Sequence, residues 1–297
     1  MPNMTQEGRR PDLENLEING TEQYIADQIF PAFHVTQKAG KLNYQGLVKQ
    51  GAATKGRQAG EALTTTYLAK ASVDWAVASI EKRHGIPYDE VENYGGIEAA
   101  DAAGGEGARL SVMDAIEADA AAAILGGEGT AVEAGKFIEA VKAAKKAVKR
   151  YAGKTVLVVS QSVYDIITEL DEVLDRANLF TSVTPADNEQ IVALKRTILA
   201  MILEVDDILV GDDEFWGVEA YANRAAIIKV APEDINSHIR KAVFAKQLVY
   251  YPADGTRYEI FSFPDNGDKA NKYDATAWSK IQIFNAGARV LLTNIGA

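Results

Sequence analysis

The chain has no cysteine, three histidines and no long apolar run. Without cysteine, disulfide bonds and thiolate chemistry are excluded. No stretch approaches the roughly 20 apolar residues that a membrane-spanning helix needs, and the N-terminus lacks the apolar region of a signal peptide. We therefore expect a soluble protein that is neither secreted nor bound to a membrane.

Motifs of catalysis are also missing. The three histidines, His34, His84 and His238, lie far apart in the sequence, and none has the spacing of a metal ligand. Gly153-Lys154-Thr155 resembles the end of a phosphate-binding loop, but Val148 stands where the first glycine belongs and the triplet precedes a predicted strand. No Gly-x-Ser-x-Gly motif occurs. We predict no catalytic, cofactor-binding or metal-binding residue, and so no enzyme.

Acidic side chains outnumber basic ones by 42 to 31, which gives a formal net charge of −11. This charge argues against electrostatic binding of nucleic acid across the whole surface. One acidic cluster is dense enough for calcium but lacks the alternation and terminal glutamate of a calcium loop, so a solvated loop is the favoured interpretation. Its members are Glu204, Asp206, Asp207, Asp212, Asp213 and Glu214.

An alanine-rich helical pattern occupies the middle of the chain. Its apolar residues recur every three or four positions, as on one face of a helix: Leu110, Met113, Ile116, Ala120 and Ile124. Within it, Ala120, Ala121, Ala122 and Ala123 add strong helix propensity and almost no bulk. We predict that other backbones pack closely against the helix at these four alanines.

A second helical pattern follows a glycine break. Thr130 is the predicted N-cap, and Glu133 completes a capping box with it. Basic side chains crowd the last two turns before Gly153: Lys142, Lys145, Lys146, Lys149 and Arg150. They either form a solvated face that complements the helix dipole or contact an acidic neighbour.

The N-terminal region resembles an arm. Residues 1–20 are polar and should not fold alone. A short helix is expected over residues 21–30, ended by Pro31, and an extended segment over residues 32–35.

From Lys41 to Trp75 apolar residues alternate along two runs, which predicts a long β-hairpin. The glycine-rich tip, residues 49–62, carries Lys49, Lys55 and Arg57. The tip is either a mobile surface loop or an element supported by another subunit, because a lone hairpin is marginal in water.

The remaining segments alternate between helix and strand. Helical spacing over 73–83 predicts a helix, and residues 88–105 a connector. Past Lys154 the pattern is that of an α/β unit, with a strand over 155–159, a helix that would bury Val163 to Leu174, and a second helix over 188–203. Further strands are expected at 207–210, 225–230, 247–251, 258–263, 281–284 and 290–292.

This order of parts resembles a tailed-bacteriophage major capsid protein over nearly the whole chain. Local echoes are Ile25–Pro31, Leu199–Gly211 and Ala286–Ile295. The resemblance implies an α+β fold with these parts: an extended N-arm (1–40), a long β-hairpin E-loop (41–73), a peripheral domain (74–152) with a spine helix at about 107–125, an α/β axial domain (153–235), and a return segment (236–297) that completes the peripheral domain.

The resemblance also implies a structural role. Such subunits self-assemble as pentamers and hexamers into an icosahedral head that encloses the double-stranded DNA genome, so the expected location is the virion, after assembly in the host cytoplasm. Arms and E-loops overlap neighbours there, which would place Lys49, Lys55 and Arg57 at an inter-subunit contact. Since the chain starts with a short arm, a separate scaffolding protein is expected, with portal and decoration proteins as further partners. No motif matches a covalent crosslink through the E-loop lysines.

Two alternatives stay open. An encapsulin-like compartment shell has the same fold and would enclose a cargo enzyme instead of DNA. A soluble α/β enzyme is the competitor from another class, and it would form a small oligomer instead of megadalton particles.

Overall fold

The structure, a computed structural model, describes Arg10, Leu13 and residues 24–45, 70–180, 188–230, 243–251 and 257–296. The predicted hairpin tip, with Lys49, Lys55 and Arg57, lies outside these residues, as do His238 and most of the arm before residue 24. The described part mixes helices with three sheets, which confirms the predicted α+β class.

The helices have these bounds in chain order: α1 (Ala26–Ile29), α2 (Ile97–Leu125), α3 (Phe137–Val148), α4 (Gln161–Glu169), α5 (Asp171–Phe180), α6 (Asn188–Leu203) and α7 (Asp213–Trp216). The strands are β1 (Ala32–Val35), β2 (Ala39–Gln45), β3 (Lys70–Ala76), β4 (Ala78–Pro87), β5 (Thr130–Ala131), β6 (Lys154–Ser160), β7 (Asp207–Gly211), β8 (Ala225–Val230), β9 (Ala245–Tyr250), β10 (Glu259–Asp265), β11 (Ala270–Ile283) and β12 (Arg289–Thr293).

The first sheet is organised around β11, a strand of 14 residues. β4 pairs with it antiparallel from Ala270 to Ser279. β10 pairs with its first half and β9 with its second half, and β1 adds to β9 in parallel. The sheet therefore joins the arm, the middle of the chain and the C-terminal region into one body.

The second sheet has the strand order β5-β12-β8-β6-β7. Side chains alternate between the faces of a strand, and here both faces are covered. On one face Leu157 and Val159 pack in a cluster with residues of α3 to α6. On the other face Val156 and Val158 pack in the cluster that contains the end of α2. Burial on both faces explains why β6 is an uninterrupted apolar, β-branched run.

Helix α2 has 29 residues and is about 44 Å long. Its buried positions include every fourth residue: Ala100, Gly104, Ala108, Val112, Ile116, Ala120 and Ile124. Each step of four advances about 40° around the helix, so the buried stripe winds around it. Near its start α2 packs on β4 and β11, and near its end on β8, β12 and α7.

The start of α2 corrects the sequence interpretation. The helix begins at Ile97 and not near residue 107, so the predicted connector over 88–105 is wrong from residue 97 onward. Gly104, Gly105 and Gly107 disfavour a helix locally, and this misled the prediction. At Gly104 the Tyr273 ring occupies the space where a Cβ would stand, and Leu13 and His84 approach Gly105 and Gly107 to 3.0 and 3.2 Å from that position, so the glycines allow close packing.

Two more helix predictions are wrong. The segment predicted helical over 73–83 holds β3 and β4, because β4 pairs with β11 along its whole length. Thr130 does not cap a helix: Thr130 and Ala131 pair in parallel with β12. Helix α3 begins at Phe137, and its first amides donate to the Glu172 carboxylate from a distant helix.

Other elements match the predictions closely. The strands at 155–159, 207–210, 225–230 and 290–292 are confirmed within one residue at each end, and the helix over 188–203 is confirmed. The predicted helix through Leu174 breaks at Leu170, whose backbone is extended, into α4 and α5. The strand predicted at 281–284 is the end of β11, which begins at Ala270. The base of the hairpin is confirmed, with β2 antiparallel to β3.

Candidate subunit-contact surfaces

A buried carboxylate joins three parts of the chain. Glu117 of α2 is 1% exposed, and it accepts hydrogen bonds from the Ile25 amide at 2.8 Å and the Ala26 amide at 3.0 Å. The indole Nε1 of the fully buried Trp216 donates to the same carboxylate at 2.8 Å. Burial raises the pKa of Glu117, although the three donors oppose this shift. Glu117 thus ties the arm and the α/β unit to the long helix.

Further contacts hold the described part of the arm on its own chain. The guanidinium of Arg257 donates to both carboxylate oxygens of Asp27, at 2.6 and 2.8 Å. Arg10 donates through Nη1 to Asp101 at 2.7 Å, and its amide donates to the Ile260 carbonyl at 2.8 Å. The arm is therefore built into the subunit body at these points.

Two arginines cap the end of α2. Nη1 of Arg289 donates to the carbonyls of Ala123, Ile124 and Gly126 at 2.8 to 3.0 Å. Nη1 of Arg224 donates to the Leu125 carbonyl at 2.9 Å. The guanidinium N–H groups satisfy the free carbonyls at the helix end. Their positive charge also interacts favourably with the negative end of the helix dipole. The C-terminal strand β12 is thereby fixed to the long helix.

A pocket on the α/β unit is lined by five lysines. Three come from α3, one directly follows it and one lies near the end of β8: Lys142, Lys145, Lys146, Lys149 and Lys229. Thr155 and Glu204 complete the wall of this cavity of about 510 Å³. Lys145 donates to Glu204 at 2.9 Å, and the Lys145 ammonium lowers the pKa of Glu204. The pocket is consequently basic despite the acidic character of the chain.

The acidic cluster at 204–214 is divided between two places. Glu204 faces the lysine pocket, and Asp206 accepts from the Thr155 amide at 2.6 Å. At the other end of β7, Asp212 caps α7, and Asp213 accepts from the amide and hydroxyl of Ser162 at 3.0 and 2.9 Å. Among the residues that the structure describes, no group of acidic or histidine side chains could hold a metal ion.

Three large side chains are exposed where β4 leads into α2. Ile97 is 67% exposed, Tyr94 43% and Tyr88 39%. Large side chains that stay in solvent cost free energy unless a partner covers them. These exposed side chains make the start of α2 a candidate contact surface.

No protein-family model matches the sequence, and no curated protein matches it either. Solved structures do match in fold. A phage-related protein from Bordetella bronchiseptica RB50 is 14% identical, with 97% of this chain and 98% of that one covered at a TM-score of 0.64. The asymmetric unit of the mature capsid of bacteriophage PhiM1 is 10% identical, with coverage of 94% and 89% and a TM-score of 0.56.

The SrpI encapsulin from Synechococcus elongatus PCC 7942 is 8% identical, with coverage of 94% and 90% and a TM-score of 0.55. These likenesses extend along nearly the whole chain. The chain has the tailed-phage major capsid fold. Encapsulins share this fold, so the structure confirms the resemblance inferred from the sequence at the level of the fold.

The predicted close-packing alanines of α2 differ in exposure. Ala120 and Ala121 are fully buried, Ala123 is half-buried, and Ala122 is exposed. A closer approach than any of these occurs at Gly104, where a Cβ would lie 2.2 Å from the Tyr273 ring. A glycine inside an alanine-rich helix is the sequence signal that could have indicated this contact.

The remaining candidates are structural or lie outside the described part. His34 packs edge-on against the Tyr251 ring, with the ring centres 4.1 Å apart. Gly153 precedes strand β6, and its carbonyl accepts a hydrogen bond from Lys229 at 3.1 Å, so the Gly153-Lys154-Thr155 triplet is not arranged as a phosphate loop. No helix in the described ranges is both long and apolar enough to cross a membrane.

Proposed function

We propose that this chain is the structural subunit of a closed icosahedral shell, the major capsid protein of a tailed-phage head that encloses double-stranded DNA. The observation that carries the proposal is the likeness in fold to a phage-related protein and a phage capsid along nearly the full length of both chains. The similar structures are shells and not enzymes, and this supports a structural role.

The hairpin supports the same proposal. β2 and β3 pair with each other and, within the described residues, join neither of the larger sheets. At the base of the hairpin Leu42 and Trp75 pack with Phe33 and Leu248 of the subunit body. An isolated two-stranded hairpin is marginal in water, so the proposed support for the E-loop is a neighbouring subunit. Lys49, Lys55 and Arg57 would then lie at that contact.

The proposal assigns a role to each part of the chain. The axial domain (153–235) of each subunit would face the centre of a pentamer or hexamer, and the arm (1–40) and E-loop (41–73) would overlap neighbours. The peripheral domain (74–152), with the return segment (236–297), would form the wall of the shell. A separate scaffolding protein, a portal and decoration proteins are the proposed partners, in a virion assembled in the host cytoplasm.

Removal of the hairpin tip tests this role. Excising residues 49–62 and closing the gap with a tight turn should leave a folded subunit and prevent closed shells in negative-stain micrographs. A variant in which the same 14 positions carry a glycine-serine linker keeps the loop length and removes its charges. Normal particles from the excision variant would refute the role of the tip.

The shell should enclose DNA without binding it tightly, because tight phosphate contacts would oppose packaging and release. The net charge of −11 suits this requirement. A protein that makes about 6 to 10 phosphate contacts loses about a thousandfold or more in affinity between 50 and 200 mM salt. Titration of isolated capsomers with duplex DNA should show no such steep, sub-micromolar binding.

A compartment shell is the second candidate, because the encapsulin matches with a TM-score of 0.55 against 0.56 for the phage capsid. The contents of particles from the native source separate the two functions. A nuclease-protected genome-length DNA supports the phage head, and a stoichiometric protein cargo without DNA supports the compartment.

A further inference from the structure

The α/β unit carries opposite charges at the two ends of strand β6. β6 runs from the lysine pocket, at Thr155, to the acidic residues, at Ser160. Five residues of strand separate these positions by about 17 Å. The parallel strand β7 runs the same way, so its last residue, Gly211, pairs with Ser160 and leads directly into Asp212 and Asp213. We call the two regions the basic end and the acidic end.

The basic end is open to solvent. Lys142 and Lys146 of α3 and Lys149 directly after it are exposed, and Lys229 stands opposite Thr155 in the sheet register. Spacing of three and four residues places the α3 lysines on neighbouring positions of the helix. Among the residues that the structure describes, Glu204 is the acidic side chain that lines the pocket, and it is paired with Lys145. Among the described residues, five lysines and one glutamate thus line one cavity, which makes it basic.

The acidic end is exposed in the same way. Asp213 and Glu214 lie in the first turn of α7, and Asp165 lies on the exposed side of α4. Arg196 lines the neighbouring cavity with Asp212 and Asp213, so it offsets part of this charge. Asp213 also holds the start of α4 through Ser162 and is therefore a poor choice for substitution.

We propose that the basic end of each subunit binds the acidic end of the adjacent copy within a ring of subunits. This inference rests on the proposed shell function and adds a specific contact to it. A closed ring of identical subunits needs two different, complementary surfaces on each copy. The two ends meet this need because they carry opposite charges and lie at opposite ends of one rigid strand.

A second copy fits the basic end better than nucleic acid does. The chain as a whole is acidic, and this disfavours the long-range attraction on which nucleic-acid binding depends. Every copy of the chain carries both surfaces, so each basic end has an acidic end of another copy available to it. Opposite charges across such a contact also fix its register.

The test reverses each end separately and then both together. Lys146→Glu with Lys149→Glu reverses part of the basic end, and Asp165→Lys with Glu214→Lys reverses part of the acidic end. Each double variant should raise the protein concentration needed for assembly by about tenfold or more, because like charges would meet at the contact. The quadruple variant restores opposite charges and should assemble close to the wild-type concentration. Lys82→Glu with Lys280→Glu, two exposed lysines on the first sheet, is the control with the same change of net charge as the basic-end variant.

Light scattering and negative-stain microscopy give the readout, with circular dichroism to verify folding. Recovery in the quadruple variant, with an unaffected control, supports the contact. The inference is overturned if the basic-end variant assembles normally, if the quadruple variant stays unassembled, or if the control fails equally. A basic-end variant that forms normal shells but retains less DNA would assign the lysines to nucleic acid instead. Absence of wild-type shells would refute the proposed function itself, which keeps the two failures distinct.

Discussion

Gly104 gives the sharpest test of how the long helix packs. A Cβ at this position would stand 2.2, 2.3 and 2.7 Å from three atoms of the Tyr273 ring. Tyr273 is fully buried, and its hydroxyl donates to Asp101 at 2.5 Å, so the ring is held at both ends. The methyl group of Gly104→Ala would overlap the ring, so either the buried ring or the helix backbone has to shift.

The expected change in the free energy of unfolding is the balance of opposing effects. Replacing glycine by alanine inside a helix favours folding by about 1 kcal/mol. Overpacking a well-filled site costs about 1–3 kcal/mol. A shifted ring also loses its hydrogen bond to Asp101, which costs about 1 kcal/mol more. We expect Gly104→Ala to lower the free energy of unfolding by about 1–3 kcal/mol, at the balance of these terms.

The assay is denaturant unfolding of unassembled protein, kept below the concentration at which it assembles. Gly107→Ala is the matched control in the same helix, because its Cβ would lie 3.2 Å from the half-buried His84 ring, a much milder contact than the 2.2 Å at Gly104. The control should be neutral or more stable by up to about 1 kcal/mol. Equal stability of the two variants would refute the close approach of Tyr273 to α2.

Other substitutions test the remaining contacts. Glu117→Leu leaves three buried donors without an acceptor and should lower the free energy of unfolding by about 3 kcal/mol or more. Burial raises the pKa of Glu117 above its ordinary 4.5, so its contribution to stability should be greatest below pH 4.5 and be lost as pH rises through the folded pKa. The unfolding free energy of Glu117→Leu should lack this part of the pH dependence. Arg289→Met removes three hydrogen bonds at the end of α2 and should cost about 1–3 kcal/mol in denaturant unfolding. Ala121→Leu should cost about 1–3 kcal/mol, while Ala122→Leu, at an exposed position, should change stability by less than about 0.5 kcal/mol; a harmless Ala121→Leu would contradict the packing.

The α/β unit was predictable because its signals are local. The residues of β6 and β8 form short apolar, β-branched runs, which are typical of strands buried on both faces. The arm strand β1 and the base of the hairpin also follow from local alternation and from Pro31. These segments would read the same way in many folds.

The elements that were missed depend on distant partners. Along β11 the buried residues alternate as Tyr273, Ala275, Ala277 and Ser279, and because all but Tyr273 are small, they give a weak hydrophobic pattern. β4 is mostly exposed and is held by its pairing with β11. Sequence patterns near β4 carry no information about that partner, so local helical spacing prevailed in the prediction.

The contacts that organise the candidate surfaces were likewise beyond sequence reasoning. Glu117 interacts with Ile25 and Trp216, which lie 92 and 99 residues away in the chain. Glu172 caps α3 from 35 residues away, and local sequence patterns do not show such a distant cap. Thr130 was therefore predicted as the N-cap. The basic residues of α3 were recognised, but that Lys229 joins them became visible only in the folded sheet.

The mass of the assembled wild-type protein tests the central proposal most directly. Sedimentation velocity of the purified protein at assembling concentration, with cryo-electron microscopy of the same sample, measures both size and symmetry. The proposal predicts closed, megadalton, icosahedral particles built from five- and six-membered rings of this chain. A monomer or small globular oligomer at every concentration and salt tried, with no closed particles, would contradict it.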